Sequence, residues 1–382
     1  MIESSCHKKI KILYVLPEFG TGGAERLVVD LCRLLSSERF EASVCVFKSG
    51  SFEPEILGMG KDFHLLPAAF STLVVGKGIL LFKRLLALRT IIRCNSIDIV
   101  HTNFMGPLSH INLVQKLPGV EFRWVHTEHN APDATIYSAK SVKRTRDIYP
   151  RVDAAVGITD VVSNYYRDQL CVPLDKIRTI YNGIPLKKFV GCDREAKRKA
   201  LGFTPSDKLI GIIANLRPVK NHATLLRAFG IMSAELADAH LVLVGDGETR
   251  EGLESLAREL GLAHRIHFLG ARLDAHEIMQ ILDLYCLPST YEGLPLSVLE
   301  AWAAGKPVVG TDVKGIRDLI THQKNGILVP LEDPAALSES IVGVFRDEEL
   351  QARLARNGSL KVKQFDASQM IAQYEQLYLD LV

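Results

Sequence analysis

The stretch STYEGLPLSVLEAWAAGKPVV, residues 289–309, predicts a turn that leads from a strand into a helix. The apolar run at 284–287 is typical of a buried strand, and residues 289–293 have the small and polar side chains of a turn. Pro295 suits the first helical position, where its missing N–H costs nothing, and Gly305 suits a left-handed residue that ends the helix. We therefore expect a helix between these two residues.

The start of this helix is a candidate site for an anion. The amides of Leu296 and Ser297 would point out of the N-terminus, where unpaired N–H groups and the positive end of the dipole favour a phosphate. Glu292 in the loop and Glu300 in the helix could each accept two hydroxyls, so the pair could hold two diols, as in a nucleotide sugar. Alternatively, Glu292 is only a charged loop residue and Glu300 is only a solvent-exposed helix residue.

The sequence from Glu292 to Val309 resembles the signature of retaining glycosyltransferases of family four, whose fold is GT-B. In that family the first glutamate contacts the transferred sugar, and the second holds the ribose of the nucleotide. The resemblance extends over nearly the whole chain, from Gly22 to Val329.

Length and composition favour a globular protein of two domains. The chain has 382 residues, which fits two domains of ~190 residues, and 47% of them are hydrophobic. A net charge of +2 gives no general attraction to nucleic acid. Residues 1–11 lack the apolar core of a signal peptide, and no run reaches the ~18 apolar residues of a membrane span, so we expect a cytoplasmic protein. The seven scattered cysteines predict reduced thiols and no zinc site.

Apolar runs alternate with helical patterns in both halves of the chain, which predicts the α/β class with two doubly wound, Rossmann-like domains. In the first half we expect strands at 8–17, 42–47, 63–66, 97–101, 122–127, 154–158 and 177–181. In the second half we expect strands at 209–214, 240–244, 266–269, 284–287, 307–310 and 327–329.

The resemblance to GT-B enzymes implies that the two domains face a cleft and that a C-terminal helix crosses back to the first. A charged stretch predicts an interdomain linker near residues 185–191. We therefore expect residues 1–187, with about residues 366–382, to form an acceptor-side domain. Residues 188–365 would form the domain that binds the nucleotide sugar.

Residues 19–26, FGTGGAER, predict a glycine-rich turn from the first strand into a helix at 24–35. Gly22 and Gly23 permit a close approach of phosphate to the backbone, although many such turns use glycine only for packing. The turn resembles the Gly-Gly-Ala-Glu loop of family-four enzymes, which faces the donor phosphates and the acceptor.

Polar residues stand at the ends of three predicted strands, at 101–103, 126–130 and 181–185. Functional residues of doubly wound sheets gather at such ends, although a single histidine there is more often a satisfied core or surface group. The resemblance places His129 beside the donor sugar and matches Asn182-Gly183-Ile184 to the motif that ends the first domain. The residues that we assign to the acceptor side are His101, Asn103 and Asn182.

The loop ANLRPVKNH, residues 214–222, has two cations before a helix that should begin near His222, which suits a diphosphate. Family-four enzymes usually have an arginine two residues before the present Arg217 and a lysine at 220. This chain has Asn215 at the arginine position. The resemblance therefore carries over Lys220 directly and Arg217 as a substitute.

The resemblance implies a retaining transferase that uses a nucleoside-diphosphate sugar, UDP- or GDP-linked. The habit of the family and the two basic clusters, at 79–93 and 140–146, favour a glycan or lipid-linked acceptor of the cell envelope. The catalytic set comprises His129, Lys220, Arg217 and Glu292. The donor-binding set comprises Gly22, Gly23, Asn215, Arg272, Gly293, Leu294, Leu296, Ser297 and Glu300. No Asp-x-Asp motif occurs in the sequence, so we expect neither a metal nor another cofactor.

Two alternatives remain open from the sequence. A nucleotide-sugar epimerase or a phosphorylase could use a similar pair of domains, and an epimerase would need no acceptor. A non-catalytic relative could bind the donor without turnover, and Asn215 keeps that alternative in play.

A leucine-rich helix predicted at 79–93 carries Lys83, Arg84, Arg89 and Arg93. It could lie on an anionic membrane surface, but its basic residues form no single stripe, so a helix packed on the sheet is the preferred interpretation. A second basic cluster lies at 140–146. Alternatively, these residues are only the solvent-exposed face of a helix. Peripheral membrane contact through the first domain remains an expectation.

Overall fold

The computed structural model describes residues 8–20, 22–68, 74–129 and 139–382, without side chains at 74–77 and 139–141. Asn130, in the polar strand end at 126–130, lies outside the described residues, and the basic cluster at 140–146 is described only in part. The chain divides into two compact units, residues 1–182 with 368–382 and residues 183–367.

Within the described residues, the first unit has a seven-stranded parallel sheet in the order β3-β2-β1-β4-β5-β6-β7. Its strands are β1 (Ile10–Leu16), β2 (Phe40–Val46), β3 (Phe63–Leu65), β4 (Ile99–Asn103), β5 (Arg123–Glu128), β6 (Ala154–Gly157) and β7 (Ile177–Thr179). The helices of this unit that precede the C-terminal helix are α1 (Gly23–Leu34), α2 (Glu53–Gly58), α3 (Val74–Cys94), α4 (Met105–Val114), α5 (Ala139–Arg146) and α6 (Asp160–Asp168). The strand order reverses between β1 and β4, and such a reversal opens a crevice at the carboxyl ends of the strands.

The described residues of the second unit include a six-stranded parallel sheet in the order β10-β9-β8-β11-β12-β13. Its strands are β8 (Lys208–Ile213), β9 (Ala239–Val244), β10 (Ile266–Phe268), β11 (Leu284–Leu287), β12 (Val308–Thr311) and β13 (Ile327–Val329). Its helices are α7 (Arg194–Ala200), α8 (His222–Met232), α9 (Arg250–Glu259), α10 (Ala275–Ile281), α11 (Leu296–Ala303), α12 (Lys314–Arg317), α13 (Pro334–Arg346) and α14 (Glu348–Lys361). The order reverses between β8 and β11, so a second crevice is expected there.

Each strand predicted from the sequence is present, with small shifts at the ends. The shift that matters for function is at β4, which covers 99–103 instead of 97–101. The polar residues His101, Thr102 and Asn103 therefore belong to the strand and are buried in it. Their hydrogen bonds must be made inside the unit.

The C-terminal helix α15 (Ala367–Leu381) belongs to the first unit from Ser368 onward. Tyr374 and Tyr378 are fully buried in the core of that unit. The hydroxyl of Tyr378 lies 3.0 Å from the hydroxyl of Tyr14 on β1. Apolar burial and this polar contact both tie the end of the chain to the first sheet.

The chain passes from the first unit to the second at residues 182–183, before the linker that we predicted at 185–191. That segment is structured because its apolar side chains, Ile184 and Phe189, are buried in the core of the second unit. The Ile184 amide donates to the carbonyl of Phe365 at 2.9 Å. A Cβ on Gly183 would come within 2.9 Å of the backbone of Ala367, so a glycine is needed at this pairing.

Candidate active site

Two loops of the second unit are joined next to its strand reversal. The loop after β8 contains the short 3₁₀ helix Pro218–Lys220, and the loop after β11 contains Glu292. Lys220 Nζ donates a hydrogen bond to Glu292 Oε1 at 2.6 Å. The amide of Thr290 donates to the carbonyl of Val219 at 2.8 Å. The structure thus brings together two of the predicted catalytic residues.

The Glu292 carboxylate is nearly buried, with 9% of its side chain exposed, whereas the Lys220 side chain is 24% exposed. Ser289 Oγ also donates to Glu292 Oε1, at 2.6 Å. Among the described residues both hydrogen bonds of this carboxylate fall on that one oxygen, so Oε2 is available as an acceptor. The ammonium of Lys220 has two further N–H donors for a ligand.

Helix α11 begins one residue later than we predicted. Pro295 is its N-cap, and its carbonyl accepts the Val298 amide at 3.0 Å. The amides of Leu296 and Ser297 therefore lie in the first turn, which lacks intrahelical partners for its N–H groups. The other end is as predicted, because Gly305 has a φ of 70° and follows the helix.

Tyr285, which sequence analysis missed, is fully buried on β11 and interacts with Ser297. Burial raises the pKa of Tyr285 well above its usual value; the Ser297 hydrogen bond lowers it, and the carboxylates of Glu292 and Glu300 raise it. The Tyr285 phenol therefore stays neutral, and it interacts with the carboxylates of both Glu292 and Glu300. A tyrosine in an otherwise apolar strand was the available signal, because its buried hydroxyl needs a partner.

Two glycines support these loops by close packing. A Cβ on Gly315, at the start of α12, would clash with the carbonyls of Glu292 and Gly293. A Cβ on Gly245, whose φ is 141°, would clash with the carbonyl of Ala214 just after β8. The role of Gly315 could not be identified from the sequence, because the loop that it packs against lies more than twenty residues earlier.

Other predicted donor residues have more local roles in this structure. The side chains of Leu294 and Leu296 are partly buried and pack against the core of the second unit. Arg217 is exposed, and its amide donates to the Asn215 carbonyl at 2.8 Å. Arg272 pairs with Asp274 at 2.7 Å, which holds the pKa of that carboxyl well below its usual value.

The glycine loop of the first unit is fixed by a carboxylate from its own helix. Gly22 is the N-cap of α1, and Gly23 is the first helical residue. The buried carboxylate of Glu25 occupies the place that a Cβ on Gly22 would take. The glycine at position 22 is therefore needed for packing at the start of α1.

His129, just after β5, is held by Asn103 at the end of β4. His129 Nε2 lies 2.8 Å from Asn103 Oδ1, while Asn103 Nδ2 donates to the carbonyl of His101 at 3.5 Å. Since an amide oxygen only accepts, His129 Nε2 carries the proton and Nδ1 has a lone pair. Burial lowers the pKa of His129 to about 3, and Nδ1 has no partner within the described part of the chain. The ring is a neutral hydrogen-bond acceptor.

Phe104 supports the same histidine from a strained backbone. Its ring centroid lies 5.0 Å from that of His129. The backbone of Phe104 has φ 65° and ψ 164°, a conformation that side-chain-bearing residues rarely adopt and that clusters at functional sites. The sequence gives no local signal for this strain.

The assignment of His101 to the acceptor side is wrong. The ring is fully buried, with Nδ1 2.7 Å from the Tyr378 hydroxyl and Nε2 2.7 Å from Thr127 Oγ1. Both nitrogens therefore hold α15 and β5 in place. Asn182 is also buried, and its side-chain oxygen has no partner in the described ranges.

Within the residues that the structure describes, no group of three or more His, Cys, Asp or Glu side chains is placed to bind a metal ion. None of the helices there combines the length and the apolar character that crossing a bilayer requires.

Comparisons with known proteins agree with the predicted family. A family model described as "Glycosyltransferase Family 4" matches residues 21–188, and one described as "Glycosyl transferases group 1" matches residues 193–361. An N-acetyl-alpha-D-glucosaminyl L-malate synthase of Bacillus anthracis is 29% identical over 75% of this chain and 76% of its own length. A UDP-Gal:alpha-D-GlcNAc-diphosphoundecaprenol alpha-1,3-galactosyltransferase of Escherichia coli is 27% identical over 99% of each chain.

Solved structures share the fold. The crystal structure of HepE from Anabaena in complex with UDP and glucose matches with a TM-score of 0.83 at 21% identity, over 97% of this chain and 100% of that one. Two doubly wound parallel sheets, the two family models and this likeness lead to one conclusion. The chain is a glycosyltransferase of the family-four type with the GT-B fold.

Proposed function

We propose that this enzyme is a retaining glycosyltransferase that moves a sugar from a UDP- or GDP-linked donor to a glycan or lipid-linked acceptor. The E. coli relative, by its name, uses UDP-Gal and a diphosphoundecaprenol-linked acceptor, and HepE binds UDP. These relatives favour a role in the synthesis of cell-envelope polysaccharide or glycolipid.

The observation that carries the proposal is the Lys220–Glu292 pair at the crevice of the second sheet. Lys220 would bind the diphosphate, and the first-turn amides of Leu296 and Ser297 would share its charge. Oε2 of Glu292 would accept a hydroxyl of the transferred sugar. Glu300, one turn after the start of helix α11, would accept the ribose hydroxyls.

His129, which follows β5 in the first unit, would also bind a hydroxyl of the sugar. A neutral imidazole whose Nδ1 accepts and whose Nε2 is already bonded can receive one sugar hydroxyl. This role requires no change of protonation during the reaction. Asn103 is then a positioning residue, because it acts on the donor only through His129.

The chemistry that we propose breaks the bond between the anomeric carbon and the phosphate oxygen. The acceptor oxygen forms its bond to the same face of that carbon, and its proton passes to the departing phosphate oxygen. No dedicated base is needed, and the diphosphate charge is stabilised by Lys220, with Arg217 in support, and by helix amides rather than by a metal.

The test is transfer from a panel of UDP- and GDP-sugars to synthetic diphospho-polyprenol and glycan acceptors. NMR of the product should show the anomeric configuration of the donor preserved. A product of inverted configuration, or epimerised donor formed without acceptor, would overturn the proposal. A thermal-shift screen of the same donors would select the base and sugar, because a ligand of the native state raises the melting temperature.

A further inference from the structure

A buried lysine lies at the amino ends of the strands in the second unit. Lys306 follows α11 and precedes β12, and only 8% of its surface is exposed. Its amide donates to the carbonyl of Ala301 at 2.8 Å, which fixes its backbone. Within the part of the chain that the structure describes, Lys306 Nζ makes neither a hydrogen bond nor an ion pair. A buried cation without a partner destabilises a fold.

The register of the sheet places Lys306 beside Asp283. β11 and β12 are paired with Tyr285 opposite Val308, and the amide of Tyr285 donates to the carbonyl of Pro307 at 3.0 Å. Asp283 and Lys306 stand two residues earlier on these neighbouring segments. Residues at one level of adjacent parallel strands point to the same face of the sheet, about 4.8 Å apart. Asp283 is therefore the carboxylate on which an ammonium at Lys306 would depend.

The carboxylate of Asp283 is already shared by other donors. Arg194 Nη2 donates to Oδ1. Arg198 Nη2, at 2.6 Å, and the amide of Leu209, at 2.7 Å, both donate to Oδ2. With Lys306 as an ammonium, three cations would surround this one carboxylate. The cluster of Arg194, Arg198, Asp283 and Lys306 therefore lacks an anion.

The two arginines of this cluster differ in the donors that they have left. All five N–H groups of Arg198 donate, to main-chain carbonyls and to Asp283. Arg194 uses three of its five, on two main-chain carbonyls and on Asp283. Among the described residues, two N–H groups of Arg194 thus remain for a further oxygen.

The surroundings of Lys306 favour a neutral amine. Burial lowers the pKa of Lys306 to about 8. The charges of Arg194 and Arg198 act in the same direction, whereas those of Asp283 and Cys192 oppose them. A large part of the amine is therefore unprotonated near pH 8, and an unprotonated lysine is a nucleophile.

We propose that the side-chain amine of Lys306 binds carbon dioxide as a carbamate. The lone pair of Nζ forms the bond to carbon, one C=O electron pair moves onto oxygen, and Nζ releases one proton to solvent. The product has a carboxylate in place of an ammonium, and its oxygens can accept the two remaining N–H groups of Arg194. The cluster then has two positive and two negative charges.

Carbon dioxide fits this site better than other electrophiles. Acylation of Lys306 would leave a neutral amide, and the cluster would still lack an anion. The small exposed fraction of the side chain admits a molecule of three atoms more readily than a large acyl donor.

This site is separate from the active site and does not depend on its assignment. Lys306 and Asp283 precede β12 and β11, whereas Lys220 and Glu292 follow β8 and β11. Because these strands are parallel, the two sites lie at opposite edges of the same sheet. The carbamate would add an ion pair between α7 and the amino end of β12.

The experiment incubates the full chain at pH 8 with ¹³C-bicarbonate, which supplies carbon dioxide. Carbamates are then trapped as ethyl esters with triethyloxonium and located by peptide mass spectrometry. At this pH about half of the Lys306 amine is neutral, against roughly 0.4% for a lysine of ordinary pKa ~10.4. We therefore expect at least roughly tenfold more label at Lys306 than at the exposed Lys199.

Three variants separate the site from its surroundings. Lys306→Gln should abolish the label at this position, and Lys199→Gln, the matched control, should leave it unchanged. Arg194→Gln should reduce the label several-fold, because it removes both the partner of the carbamate and a charge that keeps the amine neutral. Equal labelling of Lys306 and Lys199 in wild type, or no label at Lys306, would overturn the proposal without any variant.

A second measurement compares melting temperatures in buffers with and without bicarbonate, at equal pH and ionic strength. A carbamate that forms on the folded chain should raise the melting temperature of wild type and leave that of Lys306→Gln unchanged. An equal rise in both chains would show that bicarbonate acts as an adventitious ion only, and would count against the carbamate.

Discussion

Lys220 Nζ and Glu292 Oε1, 2.6 Å apart, form an ion pair between two loops that are 72 residues apart in sequence. In this arrangement the lysine is already paired before a diphosphate arrives. If Lys220 binds the donor diphosphate as we propose, the donor would share the ammonium with Glu292, and the interaction should strengthen as negative charge develops on the leaving oxygen.

We expect Lys220→Ala to reduce kcat by ~10²-fold, as for the loss of one preorganised donor in an oxyanion site. The measurement is kcat at saturating donor, with a melting curve for each variant. Arg217→Ala should reduce kcat less, because Arg217 is exposed and, in our proposal, would replace the family arginine only in part. Asn215→Arg should recover part of the loss in Arg217→Ala. If Lys220→Ala raises the donor KM but leaves kcat unchanged, Lys220 binds the ground state and the transition state equally and does not act on the leaving group.

The two glutamates should differ in what they recognise. Glu300→Gln should weaken binding of the bare nucleoside diphosphate, since its carboxylate would hold the ribose, whereas Glu292→Gln should leave that affinity nearly unchanged. Isothermal titration with UDP and GDP measures both. Equal losses for the two variants would contradict the division of roles.

Transfer should survive metal removal. Because the proposed stabilisation of the diphosphate rests on Lys220 and helix amides, activity after dialysis against EDTA should stay close to that of untreated enzyme. Loss of activity that Mg²⁺ or Mn²⁺ restores would contradict it.

Protonation of buried histidines should make the folded chain acid-sensitive. Burial, with Lys220 adding to it, lowers the pKa of His222 to about 4. Its pKa in the unfolded chain is ~6.5, so between these values the unfolded state binds more protons, and stability falls as the pH decreases from about 6.5 to 4. One such group changes the free energy of unfolding by at most about 1.4 kcal/mol per pH unit. Urea unfolding at pH 7 and pH 5 should show a smaller decrease for His222→Gln than for wild type, and no such gain for His264→Gln at an exposed position.

The strands could be predicted because buried parallel strands are continuous apolar runs in the sequence. The loop residues Lys220 and Glu292 could be predicted from strand-to-helix turns and from the resemblance. The hydrogen bond between Asn103 and His129 could not be predicted. It depends on how β4 and β5 are aligned with each other, and the sequence alone does not show that alignment. His101 was assigned wrongly for the same reason, since its partners include Tyr378 at the far end of the chain.

Asn103 should control the protonation of His129 and therefore the pH dependence of transfer. In Asn103→Asp a carboxylate replaces the amide beside Nε2, and a nearby negative charge raises a histidine pKa. Protonation would place a hydrogen on Nδ1, which could then no longer accept a sugar hydroxyl. We expect kcat/KM of Asn103→Asp to be low at acidic pH and to rise with pH, whereas wild type stays flat there because the pKa of its His129 is lowered to about 3.

The comparison is made over pH 5.5–8.5, with Asn95→Asp as a charge-matched control in the same unit. Asn95 follows α3 and precedes β4, whereas Asn103 ends β4, so the control adds charge before the strand rather than at its carboxyl end. Asn103→Ala should lower kcat/KM without the new pH dependence, since it frees the ring but adds no charge. If Asn103→Asp loses the same factor at every pH, Asn103 only supports the packing of β4 and β5, and His129 does not depend on it for its tautomer.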